Sequence, residues 1–491
     1  MKGSFSTAWL PVIALAIACS GAMAATPGKA RHHPPVKPAA AAKPPADFAD
    51  QKTREHPLPF MLGGNPSTYK PLPRQDLLIT HATVLDGAGR RFDDADVLSR
   101  DGRIVAVGHN LDGGNARVID ARGRWVTPGI IDPHSHDGTY SMPLTSIDDE
   151  SGDVSEMSGP IAADTWIEHA INTQDASFIY ALQGGITTLQ GLPGSTPQIG
   201  GRAVTLHPIP ATHVAAMKFP GAPQGLKMAC GENAKGYFGG KGQKPTSRQG
   251  EMANFRDVFS QADAYRGMWR HYEDEPHGPP PPRDLKLDTL AATLDGDLLV
   301  QIHCYRADDM AEMQALAHEF GFKITAFHHA VEAYKNPDLF TETGTCAVVW
   351  SDWWGFKMEA NDGIRENAAL LDAAGACVTM HSDSPVIGQR LNIEAAKAAG
   401  AGRHMGLAEP PEHIIKWITS NPAKVLGLED CIGTLAPGYN ADIVIWSGDP
   451  FSIYTLADTV LIDGAIAYDR HDPAYQPLSD FQLGRKAGVS Q

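Results

Sequence analysis

Apolar residues along this chain fall into two textures, and each predicts a different kind of strand. In "GITTLQGL", "GLKMAC", "DLLVQIHC", "FKITAFHH", "TCAVVW" and "ACVTMH" the apolar run is continuous, as in strands covered on both faces. Between these runs lie stretches such as "ADDMAEMQALAHEFG", which carry helical spacing and close on a glycine. Strand then helix, repeated over about 300 residues, predicts an α/β fold: a (β/α)8 TIM-type barrel over residues 128–432.

The second texture is shorter and broken. "LLITHATVLDGAGRRFDDADVLSRDGRIVAVG" alternates brief β-type runs with Asp86-Gly87 and Asp101-Gly102, both hairpin signals. It returns in "GTLAPGYNADIVIWSGDP" and "TVLIDGAIAYDR". Half-buried strands need partners, so the two sets predict one small β-sandwich built from residues 73–127 and 433–470. Residues 25–72 are rich in Pro and Ala and read as a linker, and residues 471–491 read as a tail.

Residues 1–24 have the pattern of an export signal: Lys2, the apolar "AWLPVIALAIA", then Ala22-Met23-Ala24 as a small-x-small cleavage site. Export to a periplasmic space is therefore expected, with a lipoprotein anchored at Cys19 as the alternative. No later segment offers about 20 uninterrupted apolar residues, so no transmembrane segment is expected. The net charge of −16 leaves no basic face for phosphates and argues against nucleic acid as a partner. Beyond Cys19 the cysteines are Cys230, Cys304, Cys346, Cys377 and Cys431. An odd number scattered over a large domain is not a disulfide framework, and buried thiols are expected.

In a barrel of this type the C-terminal ends of all strands meet on one face, where chemistry is done. "VTPGIIDPHSHDG" ends a run with His134 and His136, and residues i and i+2 of an extended chain point to one side. His303 ends another run, His328 and His329 the next, and Asp383 follows the last. A single histidine among 20 is usually structural, but ligand-type residues at four separate strand ends are not accounted for that way. Imidazoles and a carboxylate converging on one mouth suit a borderline divalent ion such as zinc.

Here the sequence resembles the amidohydrolase superfamily. "GGITTLQGLPGS", "LKMACGENAK", "HCYRADD", "HHAVEAYK" and "NPAKVLGLEDCIGTLAPGYNADIVIW" are similar to its imidazolonepropionase-related members. The resemblance implies two divalent metal ions, taken as zinc. His134 and His136 would hold one, shared with Asp383; His303 and His329 would hold the second, with His328 in a supporting or structural role. A bridging ligand is implied on the fourth strand, either a carboxylated Lys227 or Glu232. They lie an odd number of positions apart, so a regular strand cannot point both inward, and Glu232 is preferred as already a carboxylate.

The implied reaction is hydrolysis of a C–N bond in a small amide, cyclic amide or dipeptide by a metal-activated hydroxide, with Asp383 moving the proton. Lys235 and Arg248 lie in the long loop after the fourth strand and are candidate substrate anchors. Arg306 would grip a substrate carboxylate or else pair with Asp308 or Asp309. Tyr305 stands where relatives commonly carry histidine. Trp353, with Trp350 and Trp354, would wall the pocket or else pack beneath its loop. A mononuclear deaminase is the alternative within the superfamily, but its usual Glu three residues after the strand-five histidine is here Arg306. A third reading is a barrel without catalysis that serves as a scaffold. Homo-oligomerisation is left open.

Overall fold

The computed structural model describes residues 65–146 and 150–475. The export-type leader with Cys19, the linker up to residue 64 and the tail beyond Tyr475 lie outside the described residues. Five strands come first: β1 (Leu77–Leu85), β2 (Arg91–Arg100), β3 (Arg103–Gly108), β4 (Arg117–Asp120) and β5 (Trp125–Pro128). Three come last: β15 (Ile443–Trp446), β16 (Ala457–Ile462) and β17 (Ala465–Asp469). Together they form one eight-stranded sheet in the order β17-β16-β15-β5-β1-β2-β3, with β4 also on β1.

The two ends of the described chain meet where β5 and β15 pair antiparallel, Trp125 opposite Trp446 and Pro128 opposite Ile443. Asp101-Gly102 and Asp463-Gly464 make the β2–β3 and β16–β17 turns, all four residues at positive φ, the primed geometry that suits the twist of a hairpin. Leu77, Ile79, Val84, Val97, Val126, Ile443, Ile445 and Leu461 fill a core belonging to this sheet. Hydrogen bonding thus makes one continuous sheet of these strands.

The central strands are β6 (Ile130–Ser135), β7 (Ile186–Gly191), β8 (Ile199–Arg202), β9 (Val204–Leu206), β10 (Gly225–Ala229), β11 (Leu299–Cys304), β12 (Ile324–His329), β13 (Cys346–Val349) and β14 (Val378–Met380). β6 and β7 are parallel, and β10 to β14 are parallel in sequence order. β8 and β9 run antiparallel to β10 and β7 respectively. The expected closed ring of eight parallel strands is therefore not formed, and the strands lie in sheets of six and three. The reason lies after β7. The chain passes through Pro193 and Pro197 into β8, antiparallel to β10, and then into β9, antiparallel to β7, so two short antiparallel strands stand where a helix and one parallel strand were expected.

Helices cover the parallel strands. Leu285–Leu294 leads into β11, its first turn capped by Asp284, which accepts from the amides of Lys286 and Leu287. Ala307–Phe320 connects β11 to β12 and stops at Gly321, whose φ of 77° a side chain would resist. β14 returns to β6 through the Asp383 amide, which donates to the His134 carbonyl at 3.0 Å. Val300, Ile302, Phe327, Ala347, Val349 and Val378 are fully or almost fully buried, as continuous apolar strands require.

The expectation of free thiols is corrected for four cysteines. Ala229 of β10 stands opposite His303 of β11, so the next residues, Cys230 and Cys304, are neighbours and form a disulfide with Cα atoms 5.3 Å apart. Ala347 of β13 stands opposite Val378 of β14, which brings Cys346 to Cys377 in a second disulfide. Cys431 is a buried thiol. Inter-strand register is what pairs the sulfurs, and cysteine spacing alone does not reveal it. The Cys346–Cys377 bond closes a loop of sequence separation 31, which on chain-entropy grounds contributes about 3–4 kcal/mol. Cys346→Ser combined with Cys377→Ser is expected to lower stability by that amount in urea titration without reductant. An unchanged midpoint would mean that the strand ladder alone holds the two ends together.

Candidate metal centre

β6 delivers its histidines through a buried acid. Asp132 Oδ1 accepts from the amides of His134 and Ser382, both at 3.2 Å, which ties the end of β6 to the segment after β14. Burial pushes the Asp132 carboxyl up to about 7. His134 and His136 then both reach the carboxylate of Asp383: each Nε2 lies 3.1 Å from Oδ1.

The protons on these rings follow from their other partners. Gln301 Nε2 donates to the Val425 carbonyl at 3.1 Å, so Gln301 Oε1 faces His328 Nε2 at 2.7 Å and that nitrogen carries the hydrogen. His328 Nδ1 is then an acceptor, and His134 Nδ1 donates to it at 3.0 Å. His136 Nδ1 donates to the Leu192 carbonyl at 2.9 Å. Burial keeps His134 and His328 well below the usual imidazole pKa, so both stay neutral. His134 Nε2 therefore presents a lone pair toward Asp383, the tautomer a metal ligand needs, and His136, with Nδ1 on the Leu192 carbonyl, turns its Nε2 to the same carboxylate. His328 supports His134 and has no nitrogen left to ligate.

Three more imidazoles complete the wall. The rings of His303 and His329 are 4.5 Å apart, those of His134 and His329 5.0 Å, and His381 stacks on His134 at 5.0 Å. Neither nitrogen of His303 or His381 has a partner among the described residues, nor does His329 Nδ1, and all are buried. Burial holds His303 and His329 well below the usual value and takes His381 down to about 3. Donor atoms of His134, His329, His381 and Asp383 lie within 4.8 Å of one another. Unpaired buried acceptors are costly, and their convergence on an anionic oxygen fits a divalent cation. Sequence reasoning missed His381, although it stands two residues before Asp383, the same spacing that drew attention to His134 and His136.

His329 and Asp383 have φ values of 68° and 53°, left-handed for residues with a Cβ. Such conformations cost about 1–3 kcal/mol each and persist where surroundings impose them.

Of the two fourth-strand candidates, the structure places Lys227 in the cluster and Glu232 outside it. Lys227 is fully buried on β10, with Nζ 3.3 Å from His134 Nε2 and 3.0 Å from the Pro193 carbonyl. Burial lowers its ammonium to about 7. The strand ends before Gly231, whose φ of 84° turns the chain, and Glu232 opens the helix Glu232–Gly240. The Glu232 amide donates to Glu359 Oε2 at 2.9 Å, and its buried Oε1 has no hydrogen-bond partner among the described residues. The preferred Glu232 thus stands off the strand, and Lys227 is the candidate that β10 sets beside the histidines.

The expected substrate anchors divide. Tyr305 is 1% exposed, lines the cavity with His136, His303, His329 and Asp383, and lies 4.5 Å from His303 ring to ring. That cavity holds about 430 Å³. Trp353 stacks on Trp350, and Trp350 on His329 at 4.2 Å, so the indoles line an adjoining cavity of about 400 Å³ that shares His329. The two arginines are claimed elsewhere. Arg248 pairs with Asp309 at 2.8 Å and with Glu359. Arg306 donates to Asp308 at 2.8 Å and is partly exposed outside the cavity. Lys235, on Glu232–Gly240, lines neither cavity. Lys357 and Asn233, which do line the first cavity, were not nominated from the sequence.

The sequence model of the amidohydrolase family matches residues 125–473. "Amidohydrolase tasK" of Hapsidospora irregularis is 31% identical over 411 residues, 78% of this chain, and the chain spans only 41% of that protein's length. An imidazolonepropionase of Acidiphilium cryptum is 25% identical over 72% of this chain and 87% of its own. A crystal structure of an amidohydrolase from Thermotoga maritima MSB8 superposes with a TM-score of 0.73 at 31% identity, covering 80% of this chain and all of that one.

The placement of Lys227 gives a direct test. Lys227→Ala is expected to lower the metal retained per chain after chelator-free purification, read by plasma emission. Glu232→Gln should leave it unchanged. Equal loss in both variants would return Glu232 to the centre.

Proposed function

The chain belongs to the amidohydrolase family, and from that premise we propose that it is a metal-dependent hydrolase of a C–N bond in a small amide, cyclic amide or dipeptide. The observation that carries this reading is the convergence of His134 Nε2 and His136 Nε2 on Asp383 Oδ1, each at 3.1 Å. His134, His136, His303, His329, His381 and Asp383 would hold divalent ions, two in number and zinc by ligand type, with Lys227, carboxylated on Nζ, between them. Bound there, such ions supply an acidified water and a polarised carbonyl.

The chain's own residues do the rest. Asp383, a fifth exposed at the side chain, is the carboxylate able to reach solvent and substrate, and it accepts a proton and returns it to the departing nitrogen. The Gln301–His328–His134 relay and the His136–Leu192 bond hold both imidazoles in the ligating tautomer throughout. Tyr305 and the indoles of Trp350 and Trp353 keep the wall beside His303 and His329 dry. We propose further that the protein works outside the reducing cytosol. Two disulfides among the described residues support that reading beside the leader pattern.

Hydrolysis of a panel of N-acyl amino acids, dipeptides and cyclic amides is expected to stop with chelator and return with added divalent metal. Asp383→Asn should keep its far-ultraviolet circular dichroism and lose about 10²–10⁴-fold in kcat. A purified Asp383→Asn enzyme of undiminished turnover would remove Asp383 from the proton path.

A further inference from the structure

The cavity beside the metal donors has one cationic side chain in its wall, Lys357, among the described residues that line it. Lys357 comes from the loop after β13, Asn233 from just beyond β10, and Tyr305 follows β11. The ends of β10, β11 and β13 therefore converge on one polar spot. Lys357 Nζ donates to Asn233 Oδ1 at 2.9 Å and to the Tyr305 hydroxyl at 3.2 Å. Its ammonium also lies 5.3 Å from the ring centroids of Tyr305 and Phe356, which face it with π density.

Lys357 has no ion-pair partner among the described residues. Asp383, Glu232 and Glu359 act on it through space and none bonds to it. The other nearby cations are spoken for, Arg248 by Asp309 and Glu359, Arg306 by Asp308. An ammonium carries three donors, and two of these have acceptors. The Tyr305 oxygen accepts from Lys357, which leaves its own hydrogen without an acceptor among the described residues. Asn233, with its carbonyl committed to Lys357, turns its amide hydrogens the other way. Donors from three residues, one of them charged and Tyr305 almost wholly buried, make a built site for an anion with two oxygens.

Distance to the chemistry then selects the ligand. Tyr305 touches both Lys357 and His303, its hydroxyl 3.2 Å from Lys357 Nζ and its ring 4.5 Å from that of His303. A group held at Lys357 and a carbonyl held at the histidines therefore share one small cavity. We infer that Lys357, Tyr305 and Asn233 clamp the carboxylate of the substrate. The substrates are then amides whose leaving amine is an amino acid with a free carboxylate, namely dipeptides and N-acyl amino acids, in preference to cyclic or terminal amides. This rests on the hydrolase reading above and narrows it.

The test compares dipeptides with their C-terminally amidated forms, scored by cleavage of the internal bond, using the metal-loaded full chain. The wild type is expected to favour the free acids in kcat/KM by about 10- to 100-fold, the value of a charge-assisted bond. Lys357→Met should lower kcat/KM for the acids through KM and bring the acid-to-amide ratio close to one. Lys357→Arg should restore part of the preference, and Arg306→Ala should leave the ratio as in the wild type. Equal wild-type rates on both forms would overturn the clamp. So would a Lys357→Met enzyme that loses kcat equally on both, which would assign Lys357 to the developing oxyanion instead. If no peptide is cleaved, the hydrolase reading fails, and binding still decides the clamp. Tryptophan fluorescence should then show N-acetylphenylalanine binding more tightly than its amide to the wild type and no such difference in Lys357→Met. Equal or absent binding would overturn it.

Discussion

Two imidazole nitrogens and a carboxylate oxygen within 3.1 Å, with the imidazole protons committed elsewhere, repel one another unless a positive charge stands among them. Lys227 Nζ, at 3.3 Å from His134 Nε2, is the nearby donor, and burial weakens its hold on the positive charge. The rest of the fold serves to keep this arrangement from relaxing. Asp132 fixes β6 against the segment after β14, Gln301 fixes His328 and through it His134, and left-handed backbone at His329 and Asp383 aims those side chains inward. Each of these constraints costs stability locally and is tolerated because the strands beneath are buried on both faces.

The disulfides belong to the same scheme. Cys304 directly follows His303, and Cys230 lies three residues beyond Lys227, so their bond closes the ends of β10 and β11 at the height of the metal donors. Cys346 and Cys377 do the same for β13 and β14, the strand that leads into His381 and Asp383. An open sheet would splay where its loops are long. These two links reinforce neighbouring strands, already hydrogen-bonded, inside the six-stranded sheet.

Much of this was legible in the sequence, for a physical reason. Strands covered on both faces leave continuous apolar runs, so β7 and β10 to β14 could be read directly, and with them the positions of His303, His329 and Asp383. The Asp-Gly pair at 101–102 announced its turn because positive φ restricts the residue choice. What stayed hidden depended on distance in space. Whether Lys227 or Glu232 faces the histidines turns on β10 stopping before Gly231. The partners of Arg248 and the convergence of Lys357 with Asn233 and Tyr305 join segments from different strand ends. The antiparallel strands β8 and β9, four and three residues long, are too short to leave a continuous apolar run.

Charge sets one last condition on the function. The chain carries a formal −16, so an anionic substrate approaching from afar meets repulsion. At physiological ionic strength that field fades over about 8 Å, while partly buried charges are screened far less. Under the proposed clamp, recognition of a carboxylate is then decided inside the cavity, where half-buried Lys357 stands against the rings of Tyr305 and Phe356. The lower dielectric there strengthens what a single ammonium can do. The same confinement disfavours a neutral amide in the proposed clamp, since its single carbonyl oxygen replaces two carboxylate oxygens and leaves one of the donors of Lys357 and Tyr305 unmatched.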